Sequence, residues 1–289
     1  MAFELGILFA FGAMLCWGFG DFFIQRSTRK FGDIESLAFI GLIGSFGLLP
    51  FVIQDLPLLF SIPNLAMLGM IGLITFAFAI TDLEALKKGK LSVVDVVLGL
   101  ELPITIVFGF MFFRETLSVL QLIIILLIFA GIVLISLRSL SKQNPFKGLE
   151  KGVFLAFLAA IGMSVVNFLT AVGSKQVSPL LAVWFPWVIF TIISIALIWR
   201  REGLPKFFEN AKKFSAVILA MGICDTLAWL FFAFAVLENE LAIAVAITES
   251  YVVLALFLGV WLNKEKIFLH QYAGAAIALC ATIALGFIA

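Results

Sequence analysis

Three carboxylic acids, Glu101, Asp225 and Glu249, stand near the middles of long apolar runs, and no Lys or Arg stands comparably deep. Asp21 and Asp82 lie nearer the ends of such runs, with Glu84 and Asp95 close to Asp82 in sequence. A charged carboxylate at the centre of a bilayer costs about 2.5–3.5 kcal/mol on insertion scales, so such groups face a cavity or a partner and mark a pathway. Three acids without a matching cation cannot all stay ionised cheaply, and they are expected to hold protons until a cation replaces them. The chemistry that follows is exchange, with protons and a cationic or zwitterionic amine competing for Asp225, Glu249 and Glu101. The plainer alternative is that these acids hydrogen-bond to Ser, Thr or free carbonyls and fix packing. For Asp82, Glu84 and Asp95 it is pairing with Lys87, Lys88 and Lys90 at the rim.

Helical spacing groups further side chains with the acids. Trp17 and Asp21 are four apart, and Asp225, Trp229 and Phe232 follow one stripe. Trp184, Trp187, Thr191 and Ser194 form another, as do Asn167, Thr170 and Ser174. Thr75 shares a face with Asp82, and Glu101 shares one with Thr105. On an unbroken helix Glu249 and Tyr251 are about 200° apart, so only one of them faces a given cavity, and the expectation keeps Glu249. The tryptophans could box an ammonium group, since a cation over an indole gains about 0.5–2 kcal/mol when desolvated. Trp184 and Trp187 serve equally well as anchors at the outer membrane interface. Pro103 and Pro186 each remove a backbone hydrogen bond inside a run, and a kink at Pro103 would free carbonyls beside Glu101. The candidate binding and coupling set is therefore Asp21, Glu101, Asp225, Glu249, Trp17, Asn167, Trp187, Trp229, Thr75 and Asp82.

These residues must be carried by membrane-spanning helices. The chain of 289 residues is 63% hydrophobic and 13% charged, too little polar surface to cover a soluble globule. Apolar runs of about 20 residues, each long enough to cross the hydrocarbon layer, are expected near 4–25, 35–54, 65–86, 91–113, 117–138, 150–174, 179–199, 213–237, 241–262 and 267–288. The first lacks a basic n-region and is read as a span rather than a leader. Cys16, Cys224 and Cys280 fall inside spans and read as small packing residues. Of the 19 Lys and Arg, all but Arg114 and Lys175 fall in the odd-numbered connections. The positive-inside rule then places those connections in the cytoplasm and both termini outside a plasma or inner membrane.

Residues 1–149 and 150–289 each hold five runs, and five spans repeated once must insert the second copy upside down. The expected fold is an all-α integral membrane protein of ten transmembrane helices in two inverted five-helix repeats. Gly6-Ile7-Leu8-Phe9-Ala10-Phe11 matches Gly152-Val153-Phe154-Leu155-Ala156-Phe157, a register that sets Asp21 on Asn167. Further on, Ala85-Leu86 through Lys90-Leu91 falls on Ala235-Val236 through Glu240-Leu241, and Arg114-Glu115 on Lys264-Glu265. With Trp17-Gly18 in the first span and Glu101-Leu102-Pro103 fourteen residues before Glu115, the pattern resembles the drug/metabolite transporter superfamily, specifically its ten-span EamA-type members. The resemblance covers nearly the whole chain. It implies a central cavity lined by the first four helices of each half, the fifth lying outside, and efflux of a small metabolite by alternating access. Two features depart from it: many relatives keep both termini in the cytoplasm, and the position matching Glu101 is Tyr251.

The fifth span, interrupted only by Gln121 and Ser136, reads as facing lipid, and the tenth carries Gly274, Ala278, Thr282 and Gly286 at four-residue spacing. That stripe suits close packing within a monomer, or dimerisation through the tenth helix. Expected partners are a small solute, protons and the bilayer, with no cofactor, metal or nucleic acid, because the basic residues are spread over five loops and the single histidine, His270, has no Cys cluster near it. Rival classes are an intramembrane aspartyl protease, from Gly18-Phe19-Gly20-Asp21, and a lipid-handling or structural membrane protein without solute flux.

Overall fold

Gly32, at φ 91°, ends the first long helix and starts the second, its N–H closing on the Thr28 carbonyl at 3.0 Å. Only a residue without Cβ takes this backbone freely, so the hairpin needs no longer loop. The computed structural model describes residues 4–88, 97–136, 151–201, 203–262 and 268–289, which are helical with no strand among them. The first half holds α1 (Leu5–Phe31), α2 (Asp33–Val52), α3 (Ile62–Lys88), α4 (Glu101–Phe108) and α5 (Val119–Ser136). The second holds α6 (Lys151–Gln176), α7 (Pro179–Arg201), α8 (Leu204–Lys213), α9 (Ser215–Glu238), α10 (Leu241–Thr248), α11 (Tyr251–Leu262) and α12 (Leu269–Ile288). A 3-10 turn at Leu56–Phe60 precedes α3, and a π turn at Gly109–Phe113 prolongs α4. Among the described residues eight helical stretches are long and apolar enough to cross a membrane, and Glu101–Phe113 and Val119–Ile135 are shorter apolar helices. The expected fourth span is described only from residue 97.

Packing follows the repeat register. The main contacts are α1 on α9, α3 on α6, α2 on α7 and α5 on α12. Exchanging the halves turns the first pair into the second and each of the others into itself. The self-paired helices run antiparallel: Gly41 meets Thr191 while Gly44 meets Trp187, and Gly131 meets Ala278 while the Ile135 carbonyl accepts from Gln271 Nε2 at 2.7 Å. Mates related by a twofold axis across the helices must oppose each other, whereas an axis along them would leave them parallel.

The small-residue stripe of α12 packs within the chain against α5. A Cβ on Gly274 would lie 2.7 Å from the Gly131 carbonyl oxygen and 3.0 Å from the Ile135 nitrogen, and Thr282 bonds Ser250 at 2.5 Å. α5 buries Ile124, Ile125, Ile128, Ile132 and Ile135 and exposes Val119, Leu120, Leu122, Ile123, Leu126 and Leu127, as a helix meeting lipid on one side requires. Gly274→Val forces α5 and α12 apart. The expected loss is about 1–3 kcal/mol, read as a lower melting temperature of the detergent-purified protein; an unchanged melting temperature contradicts the contact.

One element was not foreseen. The connection after α7 is not a plain loop: Gly203, at φ 77°, turns the chain into the amphipathic α8, with Pro205 in its first turn. Phe207 is buried and stacks on Phe39 at 4.2 Å, Asn210 donates to Glu35 Oε2 at 2.8 Å, and Phe208, Lys212 and Lys213 face outward. A short helix with one apolar anchor and a basic outer edge suits the membrane interface.

Candidate functional site

The fourth and ninth expected spans break at matching places. Residues 97–98 are helical, Gly99 and Leu100 form a turn, and α4 begins at Glu101. In the second half α10 stops at Thr248, Glu249 and Ser250 form the turn, and α11 begins at Tyr251. These breaks are 150 residues apart, the offset that sets Leu91 on Leu241. Pro103 removes the bond to the carbonyl four residues back, at Gly99, where the first turn lies, whereas the second break carries Val253 at that register and forms without a proline.

Acids from two other segments, Asp21 on α1 and Asp82 on α3, approach the two breaks. Glu101 feels the charges of Glu249, Asp82 and Asp21, and Glu249 feels that of Asp82. Among the described residues, none of the charges acting on Glu101, Glu249 and Asp82 comes from a Lys or Arg. Asp21, Asp82 and Glu101 remain partly exposed, while Glu249 is buried. Glu101 is held from the other half: Asn167 Nδ2 donates to its Oε1 at 2.8 Å, and Ser164 Oγ donates to its backbone carbonyl at 3.1 Å. The Oδ1 of Asn167 and the hydroxyls of Thr75 and Thr105 are buried without a hydrogen-bond partner. Such groups are normally satisfied by protein or water.

An aromatic wall adjoins the acids. The Trp17 ring stands edge-on to Trp229 at 5.2 Å, with Phe232 at 5.7 Å and Tyr251 at 6.4 Å. Trp187 closes on Trp229 at 5.8 Å and is buried, its Nε1 without a partner. Gly44 permits this approach, because a Cβ there would collide with the Trp187 ring and lie 2.7 Å from Thr226 Oγ1.

Three expectations change. Tyr251, set aside because helical phase put it opposite Glu249, lies against Trp17 and within the fields of Asp21, Glu249, Glu101 and Asp82. Glu249 caps α10 and Tyr251 opens α11, so the turn places one on each of the two helices. Asp225 is buried one turn from Trp229, but the charge interaction it makes is with the neighbouring Cys224, not with the other acids. The two α7 tryptophans part company. Trp187 belongs to the aromatic wall, whereas Trp184 donates Nε1 to the Ser45 carbonyl at 2.8 Å and lines a lateral apolar hollow of about 270 Å³ with Leu42, Phe46, Val188 and Ile192. Asp95 and the side chains of Lys87, Lys88 and Lys90 lie outside the described residues. Among the described residues no group of His, Cys, Asp and Glu forms a metal-binding cluster.

Sequence reasoning weighed Tyr251 and set it aside, and gave no role to Ser164 or to one further acid. Glu115 accepts hydrogen bonds from the backbone N–H of Leu241 at 2.5 Å and Ala242 at 3.1 Å, fastening the end of the first half to the start of α10. Its place in the repeated Arg-Glu pair was the available signal.

Comparison with known proteins agrees with this arrangement. A solved crystal structure, described only as that of a protein, superposes with a TM-score of 0.75 at 17% identity, covering 99% of each chain, which establishes likeness of fold. Curated proteins give no match. The sequence profile of the EamA-like transporter family matches twice, over residues 4–137 and 150–287. The rival protease reading of Asp21 gains no support from these matches. A helical bundle whose two halves each carry that profile, with acids at paired helix breaks, is a multi-pass membrane transporter of the drug/metabolite type, and the chain belongs to the EamA-like transporter family.

Proposed function

We propose that the protein is a proton-linked secondary transporter that exports a small cationic or zwitterionic amine or amino acid by alternating access. Residues 1–149 and 150–289 act as inverted five-helix repeats of a ten-span monomer in the cell membrane, with both termini extracytoplasmic. The observation that carries this reading is the convergence of Asp21, Asp82, Glu101 and Glu249, from both halves, beside the rings of Trp17, Trp229 and Tyr251. An aromatic wall next to carboxylates recognises an ammonium group by cation–π attraction and charge. A phosphate or nucleotide sugar would call for Arg or Lys instead. Asn167 presents an amide to Glu101 from the opposite half, and Thr75, one face with Asp82, offers a free hydroxyl. Asp225 serves as a second carboxyl one turn from Trp229. The antiparallel mating of α2 with α7 and of α5 with α12 supports inversion, and the basic odd connections support the orientation.

A thermal-shift screen of the purified protein tests the substrate class with choline, spermidine, tetraethylammonium, amino acids and sugar phosphates at pH 6 and pH 8. An amine that displaces protons stabilises more at the higher pH, since ligand stabilisation grows with concentration over Kd. Stabilisation by sugar phosphates alone, or amine shifts equal at both pH values, contradicts the proposal.

A further inference from the structure

The contact between Glu115 and α10 joins the two halves at the segment that carries Glu249. α10 is an eight-residue helix with every residue buried, bounded at its far end by the Glu249-Ser250 turn. Its N-terminus presents two backbone N–H groups that no residue of the helix itself satisfies, and the Glu115 carboxylate takes both. Three local features aim that carboxylate. The π turn Gly109–Phe113 widens the end of α4, and Arg114 follows at φ 55°, the one positive φ outside glycine among the described residues. Gly109 leaves the space in which the carboxylate sits, for a Cβ there would collide with Glu115 Oε2. A non-glycine residue in the left-handed region costs energy and persists only where its surroundings hold it.

An alternative partner waits beside the contact. Phe113, Glu115, Lys175, Leu237, Glu238, Asn239 and Glu240 line a hollow of about 310 Å³. Lys175 is exposed, with its ammonium 4.6 Å from the centre of the Phe113 ring. At the same end Ser178 Oγ donates to the Asp55 carboxylate, a second polar link between the halves.

We infer that Glu115 is a positioning residue: its hold on the N-terminus of α10 keeps the bundle shut at this end, and the transport cycle requires it to let go of α10 and pass to Lys175. This inference rests on the alternating-access reading above. Bonds that cross between halves are those a rocking motion must break, and this one is fastened to the short helix leading directly to a site acid. A carboxylate on two N–H groups holds more strongly than a neutral acceptor, so the clamp depends on charge rather than shape.

The test uses the full-length chain in lipid nanodiscs, with Cys16, Cys224 and Cys280 replaced by alanine and spin labels at Thr116 and Leu237, both exposed and on either side of the contact. The parent protein is expected to show one dominant short distance. Glu115→Gln adds a discrete longer population, raising its share relative to the short one by about ten-fold, the factor carried by roughly 1.4 kcal/mol. Gly109→Ala, which displaces the carboxylate without altering its charge, gives the same redistribution, and Glu115→Asp restores the short distance. Lys175→Met removes the alternative partner and moves the population toward the short distance. The distance readout needs no substrate, so a redistribution in a protein whose parent carries no choline or amino acid supports the clamp and overturns only the carrier reading. Unchanged distances in Glu115→Gln overturn the clamp. So does a broadened distribution with no second population and a lowered melting temperature, because that marks a merely structural contact.

Discussion

Reconstituted with a pH gradient, the Glu249→Gln and Glu101→Gln proteins are expected to lose proton-dependent amine flux while still folding. On the proposed mechanism the amine and the proton compete for the same carboxyls, so apparent amine affinity of the parent protein is expected to fall as pH falls, by up to about ten-fold per pH unit for one exchanged proton. An amide carries no exchangeable charge and leaves affinity flat across the same range. The two variants should differ in kind. Glu101 is tied to Asn167 at 2.8 Å, and an amide at that position can still bond Asn167, so Glu101→Gln keeps the local geometry and removes only the charge. Glu249 sits in the turn between α10 and α11, so its replacement also alters a hinge and should slow net exchange as well as coupling. Counterflow of an identified amine separates the effects: Glu101→Gln retains counterflow without net proton-driven flux, and Glu249→Gln loses both. Proton dependence like that of the parent in both variants would remove the carboxyls from the mechanism. Asp225→Asn is the informative third case, because Asp225 is buried on α9 one turn from Trp229 rather than at a helix break.

How much of this was legible in the residues depends on range. The long apolar helices and the twofold repeat follow from hydropathy and register, which are local or strictly repeating. Asn167 was visible as part of a polar stripe, but its bond to Glu101 spans 66 residues and no periodicity announces it. The breaks at Gly99-Leu100 and Glu249-Ser250 were not legible, because the apolar run passes through them without interruption. Tyr251 was set aside on phase alone, and its contact with Trp17 on α1 is a long-range one that no periodicity announces. Pro103 drew attention as the natural kink, yet the second half breaks at the same register with Val253 in its place. Glu115 was noticed only as half of a repeated pair. Its function depends on N–H groups at Leu241 and Ala242, which become available only once α10 is known to start there. α8 escaped because its one deep anchor, Phe207, finds its partner in Phe39 on α2.

The aromatic wall should report on affinity where the acids report on coupling. Trp17 is partly exposed and touches Trp229, Phe232 and Tyr251, so it is the ring best placed to meet a ligand while resting on the others. Trp17→Ala is expected to raise the apparent KM for a quaternary ammonium by about two- to thirty-fold, the equivalent of one desolvated cation–π contact of about 0.5–2 kcal/mol. Maximal flux and its pH dependence should stay near those of the parent, since no carboxyl is touched. Trp17→Phe recovers part of the affinity. Trp229 behaves differently because it is buried against Trp17, Trp187 and Phe232. Truncating it to alanine opens a cavity, and losses of about 3–5 kcal/mol are usual for a buried large aromatic, so melting temperature falls first and flux falls with it. The contrast decides what the wall is for. A KM rise in Trp17→Ala at unchanged melting temperature makes the ring a ligand contact, because packing alone has no means of discriminating a quaternary ammonium from a neutral isostere. Equal losses for both, with melting temperature falling in parallel, make the whole cluster core and leave recognition to the carboxyls.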